Sequence, residues 1–308
     1  MQVLILGSAA GGGFPQWNCA CRNCQRLRAG TFPGKPRTQT QIAISQDNRL
    51  WFLLNASPDL RLQIEATPAL HPRDGTRSSP VAGVVLTGAD IDQVAGLLSL
   101  RELQKFRVYC TPSVGHIVRD HNSMFTMLNR VSVQAEWTHI SPEGSFPLVT
   151  VDSQDSGLCC EAFSLPTRYP AYVGNRVVEL AGAQASLGLI FSASGSRRIA
   201  YLPSVGKIDD ALLHRLRGVD LLLFDGTFWS DDELIDVQGS GATAREMGHI
   251  PVGSANGTLN LLADLKRPRK VFIHINNTNP MLDESSPQHA QVRAAGWEIA
   301  EDGWQFEL

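Results

Sequence analysis

Three cysteines, Cys19, Cys21 and Cys24, fall within six residues in the stretch NCACRNC. At this spacing one loop can offer three thiolates to one ion, and zinc takes four ligands in a tetrahedron. The cluster predicts a structural Zn2+ site whose fourth ligand comes from elsewhere in the chain. Cys21 and Cys24 also form a CxxC pair, the spacing of a redox dithiol, but without the strand–helix–strand context that goes with it. Cys110, Cys159 and Cys160 lie in apolar, strand-like stretches and read as small buried hydrophobes.

A second set of polar residues is scattered along the chain. TGADIDQ (87–93) carries Asp90 and Asp92 just beyond an apolar run. Read alone, the pair suits a solvated helix N-terminus, where the dipole favours acids. Asp225 closes the apolar run of LLLFDGT (221–227), where a carboxylate needs a hydrogen-bond partner or a cation. REMGH (245–249) supplies His249, and VFIHINNTNP (271–280) supplies His274. A single histidine of this kind is an ordinary core residue. Several polar groups, each at the C-terminal end of an apolar strand, predict one shared site. The glycine-rich GSAAGGG (7–13) matches neither GxGxxG nor GxxxxGK[ST], and predicts a turn that brings backbone close to its neighbours.

The elements that must position these residues follow from the apolar pattern. Strands are predicted over 2–7, 40–45, 49–57, 81–87 and 106–111, with the second and third joined by a hairpin turn at QDN. Helical spacing over 91–104 puts Asp90 and Asp92 at a strand-to-helix junction, and a further helix is predicted over 113–129. In the second half, strands are predicted over 159–165, 186–192, 198–202, 220–227 and 270–276, and helices over 208–217, 256–265 and 287–295. HPRDGTRSSP (71–80) and SPEGSFP (141–147) read as surface loops. Consecutive strands, then strands interleaved with helices, predict an α/β chain built as an αββα sandwich of two sheets covered by helices.

Bulk properties narrow the function classes. With 308 residues the chain suits one large domain or two small ones, and no linker or repeat divides it. A net charge of −3 gives no electrostatic reason to bind nucleic acid. No apolar run approaches the roughly 20 residues of a membrane span. The opening MQVLILG reads as a strand, not a signal peptide, which predicts a cytoplasmic protein.

Together these segments resemble the metallo-β-lactamase superfamily, whose hallmark T-H-x-H-x-D-H follows a buried strand. Thr87 and Asp92 hold the places of its threonine and aspartate, Gly88, Asp90 and Gln93 those of its three histidines, and His274 that of a later one. GSAAGGGFPQWNC, LLNASPDLR, GATAREMGHI and IHINNTNP narrow the resemblance to the coenzyme PQQ synthesis protein B family. It runs from end to end and implies a single metallo-β-lactamase-like domain over 1–308, with two mixed sheets and a role in making pyrroloquinoline quinone.

The resemblance leaves two activities. One is a non-haem iron, O2-dependent hydroxylase acting on the tyrosine ring of a Glu–Tyr precursor. The other is a carrier moving PQQ or its precursor towards the periplasm; a metal-dependent hydrolase ranks third. Losing three histidines removes ligands that two zinc ions need. Asp90, Asp92 and His274 remain, close in kind to the facial triad of iron oxygenases, and become the expected Fe2+ ligands. Gln93, Asp225 and His249 become expected substrate contacts or supports. Many family members carry histidine where Gln93 stands, and an amide is the weaker ligand. Related CxCxxC enzymes complete their zinc with a histidine at the position of Asn277, so Asn277, His289, His249 or water is expected there. A carrier of the tricarboxylate PQQ would use arginines, for which Arg37, Arg61 and Arg245 are candidates. Other PQQ biosynthesis proteins are the expected partners.

Overall fold

The computed structural model describes residues 1–129, 134–193 and 197–308. The first half supplies β1 (Gln2–Gly7), β2 (Gln41–Ser45), β3 (Trp51–Leu54), β4 (Val81–Val85), β5 (Phe106–Cys110) and β6 (Ala135–His139). The second supplies β7 (Gly144–Val149), β8 (Asp155–Ser164), β9 (Leu187–Ala193), β10 (Arg198–Leu202), β11 (Leu221–Asp225), β12 (Arg269–Ile273), β13 (Trp297–Ile299) and β14 (Gln305–Glu307). They form two sheets of seven strands, ordered β14-β1-β2-β3-β4-β5-β6 and β13-β12-β11-β10-β9-β8-β7. Each sheet is mixed. β3 to β6 and β10 to β13 run parallel, while the other pairings are antiparallel. The closing segment is split, with β13 in the second sheet and β14 in the first.

Alternation along the strands builds three apolar layers. Val3 and Ile5 of β1 point between the sheets, where they join Leu189, Phe191 and Leu223. Leu4 and Leu6 point the other way, into the layer beneath the first sheet's helices. On β11, Leu221 and Leu223 face inward while Leu222 and Phe224 face the second sheet's helices. Both faces of β11 are covered, hence its unbroken apolar sequence. This is the expected metallo-β-lactamase-like sandwich. Among the described residues no helix is long and apolar enough to cross a membrane.

Several local expectations change. The helix over 91–104 is α-helical only at Ile91–Val94 and tightens to 3-10 over Ala95–Leu100. There Gly96 donates to the Ala56 carbonyl at 2.9 Å, and a Cβ at Gly96 would lie 2.1 Å from the Ser57 carbonyl oxygen. Tertiary backbone pairing thus overrides the helical period. The helix over 113–129 splits into Pro112–Gly115, a π turn at His116–Asp120 and a 3-10 stretch at Ser123–Asn129. The helix over 256–265 shrinks to Thr258–Leu261. SPEGSFP is not wholly loop, because β7 begins inside it; its Pro147 is tolerated because β7 is an edge strand. Cys110 and Cys160 are buried as expected, but Cys159 is exposed, since it falls on the outward side of β8's alternation.

Candidate metal centre and its pocket

His274 follows β12 directly and has φ +53, a left-handed conformation costly for a side chain of this size. That turn swings its imidazole out of the strand. Its Nε2 lies 3.2 Å from Asp92 Oδ2, and its Nδ1 lies 2.8 Å from Thr227 Oγ1. Asp92 is carried by the first turn after β4, so the C-terminal ends of strands from both sheets meet here. Asp225, at the end of β11, is buried with every oxygen engaged. Its Oδ1 accepts from Thr227 N at 3.0 Å and Thr227 Oγ1 at 2.6 Å. Its Oδ2 accepts from Val205 N at 2.8 Å and faces His249 Nδ1 at 2.7 Å. The rings of His249 and His274 stack with centroids 5.5 Å apart.

Thr227 is the hub that sequence reasoning missed. Its hydroxyl also lies 3.1 Å from His249 Nδ1 and 2.9 Å from the His274 carbonyl oxygen. Its proton goes to Asp225, so its lone pairs are free to accept Nδ1–H of His274. That keeps the proton on Nδ1, so that when a cation displaces the Nε2 proton now shared with Asp92, Nε2 is the nitrogen left to bind it.

The charges respond to one another. Burial alone would lower the His274 pKa, but the hydrogen bond and charge of Asp92, with Asp225 and Asp90 behind them, raise it. Burial would raise Asp92, yet His274 outweighs it and holds the carboxyl below its ordinary range. Asp225 is likewise lowered, because His249, His274 and Thr227 offset its burial. Asp90 opens partly to solvent, but loss of water around its carboxyl, together with the charge of Asp92, pushes it up to about 6.

Asp92 and His274 are spaced as two ligands of one cation, while the three titratable donors that converge within 4.8 Å among the described residues are Asp225, His249 and His274, not the expected set with Asp90. A separation of 3.2 Å is what two ligands of one ion have when each bond is about 2.1 Å. Gln93 is buried, and its Oε1 has no hydrogen-bond partner. It is therefore not a surface residue of the helical turn. Gly88 makes room for it, since a Cβ at 88 would lie 2.5 Å from that oxygen. This explains why no side chain stands at the hallmark's first histidine position. Asp90, Asp92, Gln93, His249 and His274 all line one pocket with a volume of about 540 Å³. Gly11 and Gly12 of the glycine-rich turn line a recess beside it with Asp90 and Asp92. A Cβ at Gly7, the first residue of that stretch, would lie 2.1 Å from the Gln39 carbonyl oxygen, the close backbone approach that the sequence predicted.

The cysteines form a separate centre. The sulfurs of Cys19, Cys21 and Cys24 lie within 4.8 Å of one another, and all are free thiols. Asn277 Nδ2 lies 3.1, 3.6 and 3.3 Å from the three sulfurs in turn. Burial, with the charge of Cys21, pushes the Cys24 thiol up to about 12. Three sulfurs this close, one of them so reluctant to ionise, suit a divalent cation better than a reactive dithiol. The other proposed fourth ligands are engaged elsewhere, His289 with the Met281 carbonyl at 3.0 Å and His249 with Asp225.

The candidate arginines do not reach the pocket. Arg37 is buried and donates to the Ala300 and Lys35 carbonyls. Arg245 donates to the Asn256 carbonyl, and exposed Arg61 stands on the helix Leu60–Glu65. Arg168 lines the pocket instead. It lies in an irregular segment without periodicity, so the sequence held no signal for it.

Comparisons with known proteins agree with this fold. The model of the β-lactamase superfamily domain matches residues 50–275. Coenzyme PQQ synthesis protein B of Methylorubrum extorquens strain PA1 is 43% identical over 309 residues, covering 100% of both chains. The crystal structure of Zn2+-bound PqqB from Methylobacterium extorquens superposes with a TM-score of 0.92 at 42% identity, covering 100% of both chains. A diphosphatase of the PhnP family shares the fold at 19% identity with a TM-score of 0.67, covering 100% of this chain and 97% of its own.

Proposed function

The chain belongs to the coenzyme PQQ synthesis protein B family, and from that premise we propose that it is an iron-dependent, O2-dependent hydroxylase of the tyrosine ring in a Glu–Tyr precursor of PQQ. The observation that carries this reading is the 3.2 Å approach of His274 Nε2 to Asp92 Oδ2 in an open pocket with Asp90. With His249 and Asp225 tied to each other at 2.7 Å, one histidine and two carboxylates are left to face the pocket as an oxygen-rich, mononuclear set.

Asp90, Asp92 and His274 would hold Fe2+, with the Gln93 amide beside them. Iron there supplies the redox chemistry of dioxygen activation, which side chains cannot perform. The protein's own contribution is placement and proton handling. Thr227 and Asp225 fix the two imidazoles. His249 lines the pocket with Nδ1 engaged, so its Nε2 is the ring nitrogen that takes the phenol proton as the ring enters. The Asp225 carboxylate stabilises the imidazolium that results. The apolar layers behind β11 and β12 keep water from the rear of the site. At the cysteine centre, Cys19, Cys21 and Cys24 would hold a structural Zn2+ with Asn277 at the fourth position, in keeping with the zinc of the Methylobacterium protein.

Oxygen uptake by anaerobically iron-loaded protein, started with a tyrosine-derived substrate, tests the reading. Uptake that requires both iron and substrate supports it. Tight binding of PQQ with no uptake on any such substrate would leave the carrier reading instead.

A further inference from the structure

The pocket is strongly biased in charge. Asp90, Asp92 and Glu246 face into it, and Arg168 is its single lysine or arginine. Among the described residues, no hydrogen bond or ion pair engages the Arg168 guanidinium. Glu246 feels its charge, but its own carboxylate accepts from Thr243 N at 2.9 Å. Two hydroxyls, Ser186 and Ser204, line the same wall. An unpaired guanidinium is a planar fork of donors matched to a carboxylate.

Arg168 is also held where a ligand must pass it. The chain from Thr167 to Ala171 forms one side of the pocket, and the next residue, Tyr172, bonds the carbonyl of Ala89, directly before Asp90. The segment bearing the pocket's single arginine is thus tied to the segment bearing Asp90 and Asp92. A ligand whose aromatic ring approaches Asp92 and His274 must put any carboxylate it carries among acids, unless that carboxylate meets Arg168.

We propose that Arg168 is the specificity-determining residue of the pocket, binding a carboxylate of an aromatic, amino-acid-derived ligand and so orienting its ring towards Asp92 and His274. The proposal rests on the functional reading above for the class of ligand, not for the reaction. It assigns the selection of polycarboxylates over neutral aromatics to one side chain. Lysine would supply the charge without the fork and restore only part of the affinity.

The test is calorimetric binding of PQQ and of its trimethyl ester, whose carboxylates are neutralised, to the full-length parent, Arg168→Met and Arg168→Lys proteins. Arg168→Met is expected to weaken PQQ binding roughly 10- to 100-fold and to leave the ester unchanged. Arg168→Lys is expected to fall between. Thermal melting and cysteine-bound zinc should match the parent in both variants, because Arg168 is exposed. Equal PQQ affinity in parent and Arg168→Met overturns the proposal. So does an equal loss for PQQ and ester, or a parent that binds neither. Oxygen uptake on the same proteins is read separately. Arg168-dependent PQQ binding without uptake removes the oxygenase and keeps Arg168; uptake with no dependence on Arg168 does the reverse.

Discussion

His274 Nε2 and Asp92 Oδ2 stand 3.2 Å apart although 182 positions separate them in the chain. Each belongs to a different sheet, so the contact exists only when the two halves of the sandwich have closed on each other. A site made this way is a junction between the sheets.

The first prediction concerns Gln93, which lies beside that contact with a buried, unpartnered Oε1. Imidazole is the better Fe2+ ligand. Gln93→His is expected to raise iron affinity, and His274→Ala to abolish binding at this site. Anaerobic titration, with the cysteine centre already filled by zinc, measures both. Equal affinity across parent and both variants would remove the metal from this pocket.

Thr227 gives a second prediction. Thr227→Val keeps the shape but removes the hydroxyl that joins Asp225, His249 and His274. Leaving their buried polar atoms unpaired should cost about 1–3 kcal/mol in urea unfolding. Loosening a support behind a ligand should cost about 10- to 100-fold in iron affinity. Thr227→Ser should restore both. A valine variant indistinguishable from the parent would show that the hub does not position the imidazoles.

These cases show what the sequence could reveal. Asp225 and His274 were legible because each breaks an apolar run at its C-terminal end, where burial demands an explanation, whereas Asp92 read alone as a solvated helix start and stood out only through the hallmark frame it shares. Cys19, Cys21 and Cys24 were legible because their chemistry is local. Thr227 was not, since a threonine after a strand is commonplace and its role arises only when β11 and β12 set it between two histidines. Arg168 escaped because its segment carries no period. The edge strand β7 hid behind Gly144 and Pro147, residues that ordinarily mark a loop.

The cysteine centre makes a third prediction. Removing zinc with a chelator should lower the melting temperature, and Cys24→Ser should do so without chelator while losing zinc. Asn277→His should slow zinc release, because imidazole is the stronger ligand. Zinc content and melting in the parent and both variants decide it. A Cys24→Ser protein with the parent's zinc and stability would exclude the site.

The last prediction is a pH dependence carried by Glu233. This carboxyl is buried, accepting from Trp229 N and from the Thr278 hydroxyl, next to Asn277. Burial pushes its pKa up from 4.5 to about 7, against the lowering effect of those hydrogen bonds. Between these values the folded chain holds a proton that the unfolded chain has released. The stabilisation is therefore full below pH 4.5 and is lost progressively as pH rises to about 7. At about 1.4 kcal/mol per unit, the loss is on the order of 3 kcal/mol. Glu233→Gln mimics the protonated acid, so it should flatten this slope and be the more stable protein at pH 8. Urea unfolding of both proteins from pH 5 to 8 measures it. Parallel curves would mean that Glu233 ionises in the folded protein as it does in the unfolded one.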